Sequence, residues 1–451
     1  MKRSRTAEDM TWRVAVIPVR LAGASYRHAH QACHKAALIW NNLVATVRDY
    51  WTANESDPSI KELREAMYSF SSELLQGLHA HTKQAIVDDL LDAIQTYRSN
   101  RDNGDTDAKA PHREKNYRPL EFTHGYGWRE TRNGRLALSF GQGHDRIILR
   151  MPEVNDPKTG NPIPPSQWGS MQLCWDINAR EWSLHISVPT CKPAIGNPQR
   201  IATLDEGIIN PMAVAVETEN AYEILVVNGR NARSIKHYRN TRISQLQEAI
   251  SRCVEGSKRW RKLNAKRKKL EARTNKALHN ENHQVTRKVA DFIQQHNAGQ
   301  IIAGDVRDIE RETRKQEEKR CRNSKNQRRR LSQWARGKQE DLLEHKTGLE
   351  VQHINEAHSS KTCPACLTRN RVNGRGYHCQ ACGFTCNRDA VGALNILMKA
   401  LHGDYTPIDM NKPIHVKYLR ATPIYGKRQH GVKPRTGACR PNNRMQSCES
   451  R

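Results

Sequence analysis

The chain has 451 residues, enough for two to four small domains with proper cores. Lysine and arginine number 74 against 47 aspartates and glutamates, a net charge of +27. That excess argues against an enzyme for small soluble substrates and for an extended polyanion as partner, because each cation that neutralises a phosphate releases a condensed counterion.

No run of about twenty apolar residues exists to span a membrane. Charge follows residues 1–5 where a leader would have an apolar stretch, so no signal peptide is expected.

Residues 11–21 read as a strand. Residues 24–51 have helical periodicity, with Ala32, Ala36, Ile39, Trp40, Leu43, Val47 and Trp51 recurring at threes and fours. A second helical stretch, 60–99, carries Leu74, Leu75, Leu78, Ile86, Leu90, Leu91 and Ile94. Within it His81, Thr82, Lys83 and Gln84 set polar groups at a helix start, suited to reading a short duplex motif in a groove. Residues 100–118 are polar and read as a loop. Short strands follow at 136–140, 147–149, 171–175 and 182–188, between Gly, Asn and Asp turns. With the first strand they are expected to form a β-barrel interrupted by a helical insertion.

A different domain starts near residue 200. Residues 201–205 are an apolar strand ending in Asp205, residues 206–211 turn the chain, and 212–216 return it. A long basic helical region covers about 232–295. Its positive run at 258–276, broken only by Glu271, holds Lys258, Arg259, Arg261, Lys262, Lys266, Arg267, Lys268 and Lys269. These are expected to contact a nucleic-acid backbone. Trp260 among them either stacks on a base or packs into core. Residues 300–306 form another apolar strand, with Gly304-Asp305 at its end. Residues 311–338 mix Glu312, Glu317 and Glu318 with Arg328, Arg329 and Arg330, and read either as a mobile segment over an active site or as a salt-bridged helix. The three arginines are further candidates for nucleic-acid contact. Beyond about 403 there is little periodicity, and a basic, disordered tail is expected unless nucleic acid holds it.

Four of the twelve cysteines stand as Cys363-x-x-Cys366 and, twelve residues later, Cys379-x-x-Cys382. Two such knuckles at this separation form a four-thiolate zinc site. A closed sulfur shell leaves no position for water, so the zinc is structural and stiffens a ribbon with almost no core. His358, His378 and Cys386 are near enough to be considered, but four thiolates complete the set. Cys33, Cys174, Cys191, Cys253 and Cys321 show no pairing pattern, which fits a reducing cytoplasm.

The ribbon runs into Asn387-Arg388-Asp389 at the head of an apolar helix with Ala393, Leu394, Ile396 and Leu397. This arrangement resembles the end of the RuvC-like nuclease in transposon-encoded TnpB proteins and compact type V CRISPR effectors. Asp205-Glu206-Gly207-x-x-Asn210-Pro211 is similar to the first motif of that family, and Asn387-Arg388-Asp389 to the third. The resemblance covers roughly residues 200–400. It implies a multidomain α+β protein. A wedge-like β-barrel (1–23 and 119–195) would carry a recognition-like helical insertion (24–118). An RNase H-like, RuvC α/β domain (196–358) would follow, then a zinc ribbon (359–386), the last motif and its helix (387–402), and the tail. It also implies a prokaryotic, cytoplasmic protein with a guide RNA, target DNA and their heteroduplex as partners. The number of copies on one guide, and whether the guide comes from CRISPR or a transposon, stay open; the divergent N-terminal half leans towards a compact type V effector.

Two-metal phosphodiester hydrolysis needs carboxylates from separate segments around two divalent ions about 4 Å apart. The resemblance assigns two magnesium ions, with Asp205 and Asp389 as ligands. The second motif departs from the family, which ends this strand in Glu-Asp where this chain has Gly304-Asp305. Three readings follow: Asp305 ligates metal, the protein binds DNA without cutting it, or the carboxylate comes from elsewhere. The last is favoured. In one branch of the family the strand reads Gly-Asp-Val and a Glu appears just before the ribbon, and Glu356 matches that relocated Glu. The function implied is RNA-guided DNA cleavage. The rivals are a guided binder that does not cut and a transposon accessory protein that binds nucleic acid without a guide.

Overall fold

The computed structural model describes residues 10–54, 56–112, 114–156, 160–306, 325–422 and 435–438, with backbone alone at 325–328 and 435–438. The chain divides into two compact units, Met1–Lys192 and Pro193–Arg451.

In the first unit, strand β1 (Met10–Val19) leads into helix α1 (Gly23–Ala53). Helix α1 buries Ala29, Ala32, Cys33, Ala36, Ile39, Trp40, Leu43 and Val47, the stripe its periodicity requires. The stretch expected as one helix at 60–99 is three: α2 (Ile60–Tyr68), α3 (Ser72–Leu75) and α4 (Ala80–Asp102). The breaks have local causes. A capping box of Ser59 and Glu62 starts α2, Ser71 caps α3, and Gly77 turns the chain at φ +76° before α4.

Strands β2 (Leu120–Phe122), β3 (Trp128–Glu130), β4 (Arg135–Leu138), β5 (Ile147–Arg150), β6 (Met171–Asp176) and β7 (Glu181–Cys191) follow. Among the described residues they do not close into the single barrel expected. Their ladders make two antiparallel sheets, ordered β1-β7-β6-β2 and β3-β4-β5. Strands β3 to β5 are only three or four residues long and pair among themselves. The helices do enter between β1 and β2, and share one core with the strands around Ile39, Leu43, Leu90, Phe122, Trp128, Leu184 and Ile186.

The second unit is built on a mixed seven-stranded sheet. Its strands are β8 (Asn197–Glu206), β9 (Met212–Glu217), β10 (Tyr222–Asn228), β11 (Ala298–Gly304), β12 (Val351–Ile354), β15 (Ile414–Arg420) and β16 (Arg435–Ala438), in the order β12-β11-β8-β9-β10-β15-β16. Strands β13 (Gly376–His378) and β14 (Thr385–Asn387) form a separate ribbon. The basic region folds as two helices, α5 (Arg230–Ser251) and α6 (Lys258–Gln295), reversing near Gly256 at φ +75°. Helices α7 (Lys325–Ser332), α8 (Arg336–Thr347) and α9 (Arg388–His402) complete the unit.

Side chains alternate across a strand, so each strand feeds both faces. On one face Leu204, Val214, Val216 and Val227 pack against Val285, Val289 and Ile293 of α6 and Leu343 of α8. On the other, Ala213, Ala215, Ile224 and Val226 pack against Ala390, Ala393, Leu394 and Leu397 of α9. Leu204 faces α6, so Thr203 and Asp205 face α9, and the Thr203 hydroxyl donates to the Ala393 carbonyl at 2.9 Å.

The tail differs from expectation between 403 and 422. Strand β15 lies parallel to β10, from Tyr222↔Ile414 to Asn228↔Arg420, and β16 adds to it antiparallel. Its signal is a brief alternation of Ile414, Val416 and Tyr418, and it is ordered by the sheet edge it completes.

Candidate active site

Asp205 is the penultimate residue of β8, half-buried, on the face covered by α9. The helix comes so close that a Cβ on Gly392 would overlap the Asp205 Oδ2 and lie 2.8 Å from its Cγ. Burial, then the charges of Glu356 and Asp389, hold the Asp205 carboxyl well above the ordinary value; Arg388 and Arg375 oppose them.

Glu356 reaches the same region from a different direction. Strand β11 lies beside β8 with Ala303 opposite Leu204, and β12 lies beside β11 with Ile354 opposite Gly304. Gly304 therefore neighbours Asp205 on the sheet. The chain leaves β12 after Ile354 and folds back, so that the Glu356 side chain fills the space over Gly304. A Cβ on residue 304 would overlap Glu356 Oε2 and sit 2.9 Å from its Cβ and Cδ. The missing side chain of the second motif and the extra carboxylate thus occupy one volume. Glu356 Oε2 is buried and has no hydrogen-bond partner among the described residues. Burial and the nearby Asp305 push its carboxyl up to about 7. Asp305 follows the last residue of β11, with its N–H donating to the Ile354 carbonyl at 2.7 Å.

This packing has a direct test. Gly304→Ala should destabilise the protein by about 1–3 kcal/mol, the usual cost of overpacking. In a Glu356→Ala background the same substitution should cost almost nothing. Denaturant unfolding of the two single variants and the double variant measures the coupling; additive losses would show that the two residues do not share the volume.

Asp389 stands in the first turn of α9, with its N–H capped by Asn387 Oδ1 at 2.9 Å. Arg375 Nη1 donates to both of its oxygens, at 2.5 and 2.7 Å, and Asn210 Nδ2 donates to Oδ2 at 2.5 Å. The Asn of the first motif is therefore bound to the Asp of the third. Arg375 was not singled out from the sequence. The ribbon brings it here: Gly376 pairs with Asn387, and the Arg388 N–H donates to the Arg375 carbonyl at 2.9 Å. Three more guanidinium groups gather nearby. Burial and the charges of Arg375, Arg330 and Arg230 lower the Arg233 pKa. Glu206, one residue beyond Asp205, is buried beside Glu340, which Arg336 and His353 contact at 3.1 and 3.3 Å.

The four cysteines come together as expected. Their sulfurs all lie within 4.8 Å of one another, with Cys363–Cys382 and Cys366–Cys379 at 3.6 Å. Zinc–sulfur bonds of about 2.3 Å in a tetrahedron require sulfur separations of about 3.8 Å, so the set fits zinc. His358, His378 and Cys386 stand outside the group. The three carboxylates are more widely set. Among the described residues no three acids bring their oxygens all within 4.8 Å, so they do not enclose a single ion as the sulfurs do. The unpartnered Glu356 Oε2 and the mutual repulsion at Asp205 still suit added positive charge, and divalent cations supply it.

Of the basic candidates, Lys258, Arg259, Arg261, Lys262, Lys266, Lys268 and Lys269 are exposed on α6, while Arg267 and Trp260 are half-buried. Arg329 and Arg330 are exposed at the end of α7. The Arg328 side chain and Glu312, Glu317 and Glu318 lie outside the described residues. Three of the four polar residues at the start of α4 make contacts within the fold. Thr82 is 2% exposed and donates to the Glu121 carbonyl at 2.6 Å, the His81 ring contacts the Thr123 hydroxyl, and Lys83 lies over the Tyr68 ring. Thr82 is therefore not available to read a groove.

Fold and site together define a mixed α+β multidomain protein with one carboxylate on a strand, Asp205, two more near it on a turn and a helix, Glu356 and Asp389, and a four-cysteine ribbon. Residues 340–396 match the family described as "Cas12f1-like, TNB domain", and residues 185–310 the family described as "Probable transposase". Over 81 residues the chain is 37% identical to a TnpB-like protein of Methanocaldococcus jannaschii, covering 17% of this chain and 29% of that protein. The match thus spans less than a third of the relative's length. The fold is similar to that of a Cas12f1 solved by cryo-EM in a complex with sgRNA and target DNA, with a TM-score of 0.51, 14% identity and 81% of each chain covered. These matches support kinship with TnpB proteins and compact type V effectors. Among the described residues no helix is long and apolar enough to cross a membrane.

Proposed function

We propose that the protein is an RNA-guided DNA endonuclease of the compact type V or TnpB-like kind, with Asp205, Glu356 and Asp389 as the ligands of two magnesium ions. The observation that carries this reading is the Glu356 carboxylate in the volume over Gly304, beside Asp205. A chain that had merely lost its second-motif Glu would have no reason to fill that space with another acid.

When bound, the two ions clamp the attacking and leaving oxygens of the phosphodiester. The protein's own groups do the rest. Asp205 is held by the sheet, Asp389 by the cap of α9, and Glu356 by the turn after β12. Arg375, which donates to both oxygens of Asp389, would supply a guanidinium for the phosphate at this site. Arg230, Arg233 and Arg330 extend that positive surface for the strand's backbone. Base pairing with the guide supplies sequence choice, and the first unit holds guide, target and a short flanking duplex motif. The zinc ribbon is structural.

The partner follows from charge. The exposed cations of α6 should bind RNA, and affinity should fall steeply with salt. With six to ten phosphate contacts, the loss between 50 and 200 mM salt is about 10³–10⁵-fold. Sequencing the RNA that co-purifies, then adding that RNA, matched DNA and magnesium, tests the whole reading. A protein that elutes free of RNA at low salt sinks the guide. One that binds guide and target in magnesium and never cuts is a guided binder instead.

A further inference from the structure

A carboxylate at a strand end is held by the ladder beneath it. Glu356 has no such support, because β12 ends at Ile354. Bonds within the turn give it a shape. The Ala357 N–H donates to Asn355 Oδ1 at 2.8 Å, the Ser359 N–H to the Glu356 carbonyl at 2.9 Å, and the Thr362 hydroxyl to the His358 carbonyl at 3.0 Å. None of these places the turn relative to Asp205 or Asp389.

Two side chains from outside the turn do. Asn395 is completely buried on α9, and its Nδ2 donates to the carbonyls of Ser359 at 2.6 Å and Thr362 at 2.8 Å. Both of its N–H donors are used on this one segment. Tyr405, just past the end of α9, donates its hydroxyl to the Ala357 carbonyl at 2.8 Å, one residue from Glu356. The Lys399 ammonium lies 5.2 Å over the Tyr405 ring. Asp389, Gly392 and Asn395 follow one another at intervals of three, so they share one side of α9. That side presents one carboxylate, backs a second, and grips the segment that carries the third.

We infer that Asn395 and Tyr405 are positioning residues for Glu356: through them, α9 and the chain that follows it set the relocated carboxylate, as a strand ladder would set one at residue 304. The inference rests on the reading of Glu356 as a metal ligand. The hydrogen bonds both side chains make to the segment are to its backbone carbonyls and not to the carboxylates.

The test uses the full chain and Mn²⁺ as the probe, with binding followed by calorimetry and by the Mn²⁺ paramagnetic signal. Tyr405→Phe removes only the hydroxyl. It should weaken Mn²⁺ binding about tenfold, the scale seen when a supporting partner of a metal ligand is removed. The magnesium needed for half-maximal cleavage should rise in parallel, with zinc content unchanged. Asn395→Ala should do the same or more. Because Asn395 is buried and its variant risks misfolding, Tyr405→Phe carries the decision. In a Glu356→Gln background Tyr405→Phe should change Mn²⁺ affinity no further. An equal loss in that background would make Tyr405 a general fold contact and overturn the inference. So would unchanged Mn²⁺ affinity in Tyr405→Phe when Glu356→Gln alone weakens it. If Glu356→Gln itself leaves Mn²⁺ binding intact, the ligand reading fails first and the inference falls with it.

Discussion

Glu356→Gln is expected to reduce guided DNA cleavage by about 10³-fold or more while guided DNA binding persists. A bound metal supplies several kcal/mol of transition-state stabilisation, and each 1.36 kcal/mol is tenfold in rate. Asp205→Asn and Asp389→Asn should be equally severe. Asp305→Asn should be milder, because Asp305 bears on Glu356 through its charge and stands past the end of β11. The opposite pattern, with Glu356→Gln active and Asp305→Asn dead, would return the second motif to its strand.

The shared volume allows a stricter version. Gly304→Glu alone should gain nothing, since Glu356 already fills the space. Gly304→Glu combined with Glu356→Ala moves the acid to the strand end and should restore cleavage to within about tenfold of the parent. Failure of the exchange, with guide binding and folding intact, would mean that the two positions do not deliver a carboxylate to the same place. Cleavage of matched DNA in magnesium, scored beside binding to the same DNA, measures all of these variants.

Loss of zinc should be the largest effect on stability. Structural zinc contributes about 10–16 kcal/mol to the folding of small zinc modules, and here the four thiolates tie the two knuckles to each other. Cys363→Ser or Cys382→Ser should lower zinc content and thermal stability together. The effect should reach the candidate active site, because Arg375 is carried by the ribbon and is bound to Asp389. Elemental analysis of the pure protein should find about one zinc per chain, the number four thiolates hold. A protein with full stability and no zinc would end this reading.

Legibility in the sequence followed the distance over which each feature is determined. The cysteine knuckles, the stripe of α1 and the strand ending at Asp205 rest on residues close together in the chain. Period and spacing are set there by local geometry, so those features could be read directly. Breaks within 60–99 were also local, but they depended on caps at Ser59 and Ser71 and a turn at Gly77 that apolar periodicity does not register. Strand β15 was missed because its pattern is brief and its stability comes from Tyr222–Asn228 beside it, almost two hundred positions earlier.

The sequence by itself determined which residue types were present for the chemistry: two aspartates in recognisable motifs, a glutamate before the ribbon, four thiolates and a large positive excess. Only the tertiary structure decided how they combine. It put Glu356 over Gly304, Gly392 against Asp205, Arg375 on Asp389, and Asn395 and Tyr405 on the turn between. No period or spacing encodes such contacts. They arise where a parallel ladder sets the end of β11 beside β8 and α9 packs across both, and each works because one segment leaves a space or an unpaired group that another fills.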